Sequence, residues 1–374
     1  MSLFETLNHS NKDDVEYDAV IKAAQQNPEH VNQQYSFTRP EEGQRFPLHQ
    51  AIKLGLPYDV IEALSSPLAL KQQVNHQPPL HYALFCDASF DVVDLLLNKC
   101  PDAAKQQSGW TPLHQACFSG ASVEVVRKLL EVWPNAARQT ERYGVCAPLH
   151  YVIQNGSSID VLKILLEVYP AAAMIKDDEG DTPLHMACSQ NNISLEVVSA
   201  LLDIWPEAVC LENESFDEMG TTWGGKTPIQ LACANENATL EVVQVLLDSW
   251  LKAKKNLASH NVNSLISQET PDDVMEFLRY LSSLIDIYDP PDEITTYFTD
   301  RDENPPADEI ITYFTDIDWL NGVWLVINTH PALTKTLEIP TSAMAEFLSA
   351  VGKCCSLKTM MVLIQNEPDL LEGV

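Results

Sequence analysis

Thr111-Pro112-Leu113-His114-Gln115-Ala116 is the stretch on which the fold turns. It returns upstream as Pro47-Leu48-His49-Gln50-Ala51 and Pro79-Leu80-His81-Tyr82-Ala83. Downstream it returns as Pro148-Leu149-His150-Tyr151-Val152, Thr182-Pro183-Leu184-His185-Met186-Ala187 and Thr227-Pro228-Ile229-Gln230-Leu231-Ala232. The apolar residue after Pro falls at 48, 80, 113, 149, 184 and 229, in steps of 32, 33, 36, 35 and 45. A period near 33 residues marks stacked supersecondary units rather than one globular core.

Residues 111–138 show what each unit does. Thr111 is placed to cap a helix that Pro112 opens, since the first helical N–H has no partner in any case. That helix stops near Gly120, and Ser122 opens a second one with Glu124 in its first turn. The same hydroxyl start recurs at Ser89, Ser158, Ser194 and Thr239. The second helix is apolar at Val125, Val126, Leu129, Leu130, Val132 and Trp133, a stripe wide enough to be wedged between two neighbours. Trp133-Pro134, Tyr169-Pro170 and Trp205-Pro206 end it. One unit cannot enclose its apolar face: burying a Leu or Val gives roughly 1.5–3 kcal/mol, against ordering costs of ~1–2 kcal/mol per residue.

Thr-Pro-Leu-His, two helices and a turn on this period resemble the ankyrin repeat, over about residues 43–255. The resemblance implies an all-α solenoid of about six helix-turn-helix repeats with helical caps, and a non-enzymatic protein-binding role. Two departures stand out. The Gly-hydrophobic hairpin is sparse, clearest at Ser108-Gly109-Trp110 and Glu179-Gly180-Asp181. The exits Pro101-Asp102-Ala103-Ala104, Pro134-Asn135-Ala136-Ala137 and Pro170-Ala171-Ala172-Ala173 resemble an algal-type subgroup.

The ends read as covers for the stack. Residues 1–42 form an N-terminal cap, with a helix expected from Asp14 to Gln26 as half a repeat. Residues 256–374 read as degenerate helical pairs: one opened by Thr270-Pro271, one over Asp318–Asn328, and a last pair over Thr341–Gly352 and Leu357–Gln365. Within them, Pro291–Asp300 (PDEITTYFTD) returns as Ala307–Asp316 (ADEIITYFTD), inside the acidic segment 286–318. That segment reads either as a solvated linker or as a Tyr-Phe hairpin or helix docked on the stack or on a basic partner.

Formal charge is −30, with 53 acidic against 23 basic residues. Nucleic acid and anionic membranes are disfavoured partners, because phosphate binding requires a basic footprint. A basic protein surface is attracted instead. No apolar run reaches membrane-spanning length, and the N-terminus has no signal-peptide pattern. Nine Cys without an export signal point to a reducing compartment, so cytoplasm is expected, with the nucleus open. Oligomeric state is not legible.

No phosphate loop, His-Glu-x-x-His, Gly-x-Ser-x-Gly or paired CxxC occurs. His114 and Cys117 share a helix face, but the recurrence of His at one phrase position favours a structural ring over a nucleophilic pair. Cys354-Cys355 lacks a second ligand pair. No enzyme, cofactor or metal is expected. By the resemblance, the residue after His faces the concave side: Gln50, Tyr82, Gln115, Tyr151 and Met186. Three residues on, Phe85 and Phe118 either join that groove or fold inward as core. The longer step holds Cys210–Lys226, where Phe216 and Trp223 sit on either a contact finger or a tolerated insertion. The expected function is a scaffold or adaptor binding a protein through the concave face and hairpin tips. The alternatives are an acidic chaperone or sequestering protein for basic clients, and a regulatory subunit of an enzyme.

Overall fold

The computed structural model describes residues 2–37, 43–107, 109–141, 145–156, 158–213, 215–216, 222–223, 225–253, 262–285 and 306–329. The chain divides into two compact units, Met1–Gln190 with Ser194–Lys226, and Asn191–Ile193 with Thr227–Val374.

In the first unit α1 (Leu3–Leu7) and α2 (Tyr17–Gln26) precede five helix pairs. These are α3 (Pro47–Lys53) with α4 (Tyr58–Leu64), α5 (Pro79–Phe85) with α6 (Phe90–Lys99), α7 (Pro112–Phe118) with α8 (Val123–Val132), α9 (Pro148–Gln154) with α10 (Ile159–Val168), and α11 (Pro183–Ser189) with α12 (Leu195–Ile204). The first helices of the pairs pack in one row, α3 on α5, α5 on α7, α7 on α9 and α9 on α11. The second helices pack in a parallel row from α4 to α12. The α1/α2 pair continues both rows, α1 against α3 and α2 against α4. The N-terminal cap is therefore a whole helix pair rather than the expected half. Its missed member is a five-residue helix held by a reciprocal cap: Ser2 Oγ accepts from Glu5 N–H, and Ser2 N–H donates to Glu5 Oε2 at 2.7 Å.

The recurring phrase earns its conservation of type through packing. Leu48, Leu80, Leu113, Leu149 and Leu184 are at most 1% exposed. Thr111 and Thr182 cap their helices, and each hydroxyl also lies 2.7 Å from its His Nδ1. The other ring nitrogen reaches the next unit's backbone: His49 to Gln77 O (3.3 Å), His81 to Trp110 O (2.9 Å), His114 to Cys146 O (3.3 Å), His150 to Ile175 O (3.1 Å) and His185 to Leu211 O (3.0 Å). With Nδ1 accepting from the cap backbone at Thr111, Ala147 and Thr182, Nε2–H is the donor to these carbonyls.

In four of the five pairs the chain turns between the helices through a left-handed residue, the α11/α12 pair being the exception. Gly55, Gly120 and Gly156 fill that place, and Asp87 fills it in the second pair with φ 52°. The outer-helix caps are uneven. Ser122, Ser158 and Ser194 accept a backbone N–H, whereas Ser89 makes no such bond, contrary to its sequence pattern. Each exit is a single 3-10 turn, Pro101–Lys105, Pro134–Arg138, Pro170–Met174 and Pro206–Cys210, with its paired small residues buried.

Two short hairpins project from the first unit. β1 (Tyr35–Ser36) pairs antiparallel with β2 (Gln44–Arg45), and β3 (Ser215–Phe216) with β4 (Thr222–Trp223). The second hairpin is the 45-residue step, closed at its base by Asn213, whose Oδ1 accepts from Lys226 N–H at 2.7 Å.

In the second unit the phrase opens α13 (Pro228–Cys233), packed on α14 (Leu240–Ala253). Gln230 takes the His role, its Oε1 accepting from Thr227 N–H at 2.9 Å. Then come α15 (Asp272–Ile285), α16 (Ala307–Asp316) and α17 (Leu320–Thr329). The second acidic copy is thus a docked helix, not a linker. Ile310, Ile311 and Phe314 are buried, and Tyr313 stacks on Tyr280 at 4.3 Å between centroids. Glu309 and Asp316 are exposed, while the two Ile and the Phe share the opposite side of the helix. The first copy, the helices expected over 341–352 and 357–365, and Cys354-Cys355 lie outside the described residues.

Candidate docking face

The open side of the inner-helix row carries one exposed residue per pair at the same register: Lys53, Phe85, Phe118, Gln154 and Ser189. Phe85 is 59% exposed and Phe118 44%, so neither ring folds into the core. Both are the last residues of their helices.

The position after His behaves differently. Gln50, Gln115 and Tyr151 are buried, and Tyr82 and Met186 are half-buried. The expectation that this position faces the open groove is corrected for the first three. Its side chain leans back across the preceding unit. Tyr82 meets the His49 ring edge-on at 5.3 Å, and Tyr151 meets His114 at 6.0 Å. Gln50 accepts from Arg45 Nη1 at 2.7 Å, and Gln115 donates to Ser119 Oγ at 2.9 Å.

Around Phe118 the rings converge. Trp110 lies 4.9 Å from Phe118 and 4.8 Å from Tyr151, and Phe118 lies 6.0 Å from Tyr151. Trp110 Nε1–H donates to Glu141 Oε2 at 2.8 Å, and Asn155 Nδ2 donates to Phe118 O at 2.8 Å. Burial, then a hydrogen bond from its hydroxyl to Glu141, pushes the Tyr151 phenol above its ordinary range. Trp110 and Glu141 were not among the sequence candidates. The available signal was a Trp directly before a Thr-Pro cap, at a hairpin position that cannot be enclosed.

The tips beside this cluster are acidic. Asp177 Oδ1 accepts from Glu179 N–H and Asp181 N–H, and Asp178 Oδ1 accepts from Val145 N–H at 3.3 Å. Burial, with Glu141, Asp177 and Asp178 nearby, pushes the Cys146 thiol up to about 12. The side chains of Phe216 and Trp223 lie outside the described residues, and only their backbone pairing is placed.

The His114/Cys117 pair is not an activated nucleophile. Both ring nitrogens are engaged, and Cys117 is 1% exposed with its thiol driven up by burial. Among the described residues no three His, Cys, Asp or Glu side chains gather as a metal site, and no helix is long and apolar enough to cross a membrane.

The family model for ankyrin repeats (three copies) matches residues 48–142 and 147–259, more than half of the chain. This chain belongs to the ankyrin-repeat family, as an all-α ankyrin solenoid. The human ASB11 ankyrin repeat domain is 23% identical, covering 63% of this chain and 96% of its own, with TM-score 0.45. The ankyrin repeat domain of Bcl-3, a unique member of the IkappaB protein family, is 21% identical over 66% of this chain and 98% of its own, also with TM-score 0.45. No curated protein matches the chain.

Proposed function

We propose that this chain is a non-enzymatic scaffold or adaptor that holds a protein partner against the open side of its inner helices and the neighbouring hairpin tips. Ankyrin repeats bind protein partners, which supports the class. The observation that carries the reading is the pair of exposed rings, Phe85 and Phe118, at equivalent positions of adjacent units. Large exposed aromatics on a rigid row are the residue type that dominates protein interfaces.

A photo-reactive phenylalanine at 118 should crosslink a discrete protein in extract from the native cell, and one at Val168, an exposed apolar residue ending α10, should not. Phe85→Ala with Phe118→Ala should lower partner capture at least tenfold while the melting temperature stays within a few degrees. Equal crosslinking at both places, or unfolding of the double variant, overturns the reading.

A further inference from the structure

The docking face also specifies the chemistry of what it holds. We propose that its occupant is an extended cationic segment bearing an arginine, whose guanidinium lies over the exposed Phe118 ring while flanking cations meet Glu141, Asp177 and Asp178. This rests on the docking reading above and adds the partner class to it.

Three observations converge. First, the exposed ring of Phe118 is held rigid. Trp110 and Tyr151 brace its edges, Glu141 fixes Trp110, and Asn155 fixes the Phe118 carbonyl. A ring braced by two neighbours yet 44% exposed is a platform for a planar cation, not a socket for a branched apolar chain.

Second, charge is graded along the row. The first unit presents Lys53, whereas the tip from Lys176 to Asp181 presents Asp177, Asp178, Glu179 and Asp181 against Lys176 alone. A cationic segment is drawn toward the later repeats and repelled from the first, which biases where along the row it sits.

Third, the tip acids are spare. Asp178 is exposed and bonded to one backbone N–H, with no ion pair to a cation among the described residues. Elsewhere in the stack Arg138 lies 5.1 Å over the Tyr169 ring. That contact is the chain's own instance of the geometry proposed for the partner. Arg142 lies outside the described residues.

An extended peptide of about nine residues covers roughly 30 Å, the span of three helices spaced about 10 Å apart. The probes are fluorescent Gly/Ser peptides of that length carrying Arg at every third position, and the Lys, Leu and Glu counterparts. The full chain should bind the Arg peptide tightest and the Glu peptide not at all. Phe118→Ala and Phe118→Leu should weaken the Arg peptide about 3- to 30-fold, the range of a cation-ring contact. Phe118→Tyr should retain it. Asp177→Asn with Asp178→Asn should weaken the Arg and Lys peptides alike and flatten their salt dependence. Preference for the Leu peptide, or Arg binding indifferent to Phe118→Ala, overturns the inference. If no peptide binds, the inference falls, and the crosslink at position 118 decides separately whether the docking reading stands.

Discussion

The five histidines of the phrase couple the stack to pH. Burial holds His49 and His114 down at about 4, against an ordinary 6.5, and lowers His81, His150 and His185 in the same direction. Below pH 6.5 the unfolded chain therefore takes up protons that the folded chain refuses. Stability is complete above that pH and is lost as pH falls toward about 4, by about 1.4 kcal/mol per pH unit for each of His49 and His114, with His81, His150 and His185 acting in the same direction. His114→Gln should leave the neutral-pH melting temperature within a few degrees, since Gln230 already serves the same cap. Urea melts across this range should show a slope shallower by one ring's share; an unchanged slope would remove His114 from the coupling. Two rings are also incompletely served. His49 Nδ1 and His81 Nδ1 are buried without a hydrogen-bond partner; Pro78 offers His81 neither the hydroxyl of Thr111 and Thr182 nor the backbone N–H by which Ala147 serves His150. Pro78 has backbone angles near those of Thr111, φ −64° and ψ 161°. Pro78→Thr should therefore stabilise by about 1 kcal/mol in chemical denaturation, the cap gain exceeding the lost proline rigidity.

At the scale of elements, the exit turns set the distance between outer helices. Ala103, Ala104, Ala136, Ala137, Ala172 and Ala173 are all at most 4% exposed, and the fourth turn buries nothing larger than Val209 at this place, so the turn admits only small side chains. Ala137→Leu should cost about 1–3 kcal/mol, read as an earlier denaturation midpoint at constant m-value. These turns, the inner and outer helices and their Pro stops were legible because each follows from a local pattern repeated in register. Less legible was whatever depends on a neighbour. Gln50, Gln115 and Tyr151 share a helix position with half-open Tyr82, and only the preceding unit decides which is covered. The helix α1 is too short for periodicity to reveal it and stands on the Ser2–Glu5 cap. For α16, composition pointed to solvent, while Ile310, Ile311 and Phe314 found Phe277 and Trp319 to pack with, which no local pattern encodes.

For the molecule as a whole, a charge of −30 works against compactness while drawing cationic partners. Raising salt from about 10 mM to about 0.15 M shortens the screening length from roughly 30 Å to roughly 8 Å. Calorimetry should show the melting temperature rising over that interval at pH 7, while capture of a cationic partner weakens. A melting temperature that fell would mean that the few ion pairs, such as Lys128–Asp94 at 2.7 Å, outweigh self-repulsion. The −30 sets only the sign of the partner the proposal invokes, whereas Phe85 and Phe118 were legible as candidates without it being legible whether they lie open or fold inward. Sign is a property of composition, and place depends on which rings the stack leaves uncovered.

Each of the five phrase imidazoles, His49, His81, His114, His150 and His185, grips the backbone leading into the next helix pair and none beyond it. Tension applied to such a chain has no single clasp to break. It peels the outermost pair first, releasing some 33 residues, or about 110 Å of contour, while the inner pairs keep their shape. An anchored partner would thus feel a compliant tether whose length grows in steps, and whose grip at Phe118 is among the last parts to yield.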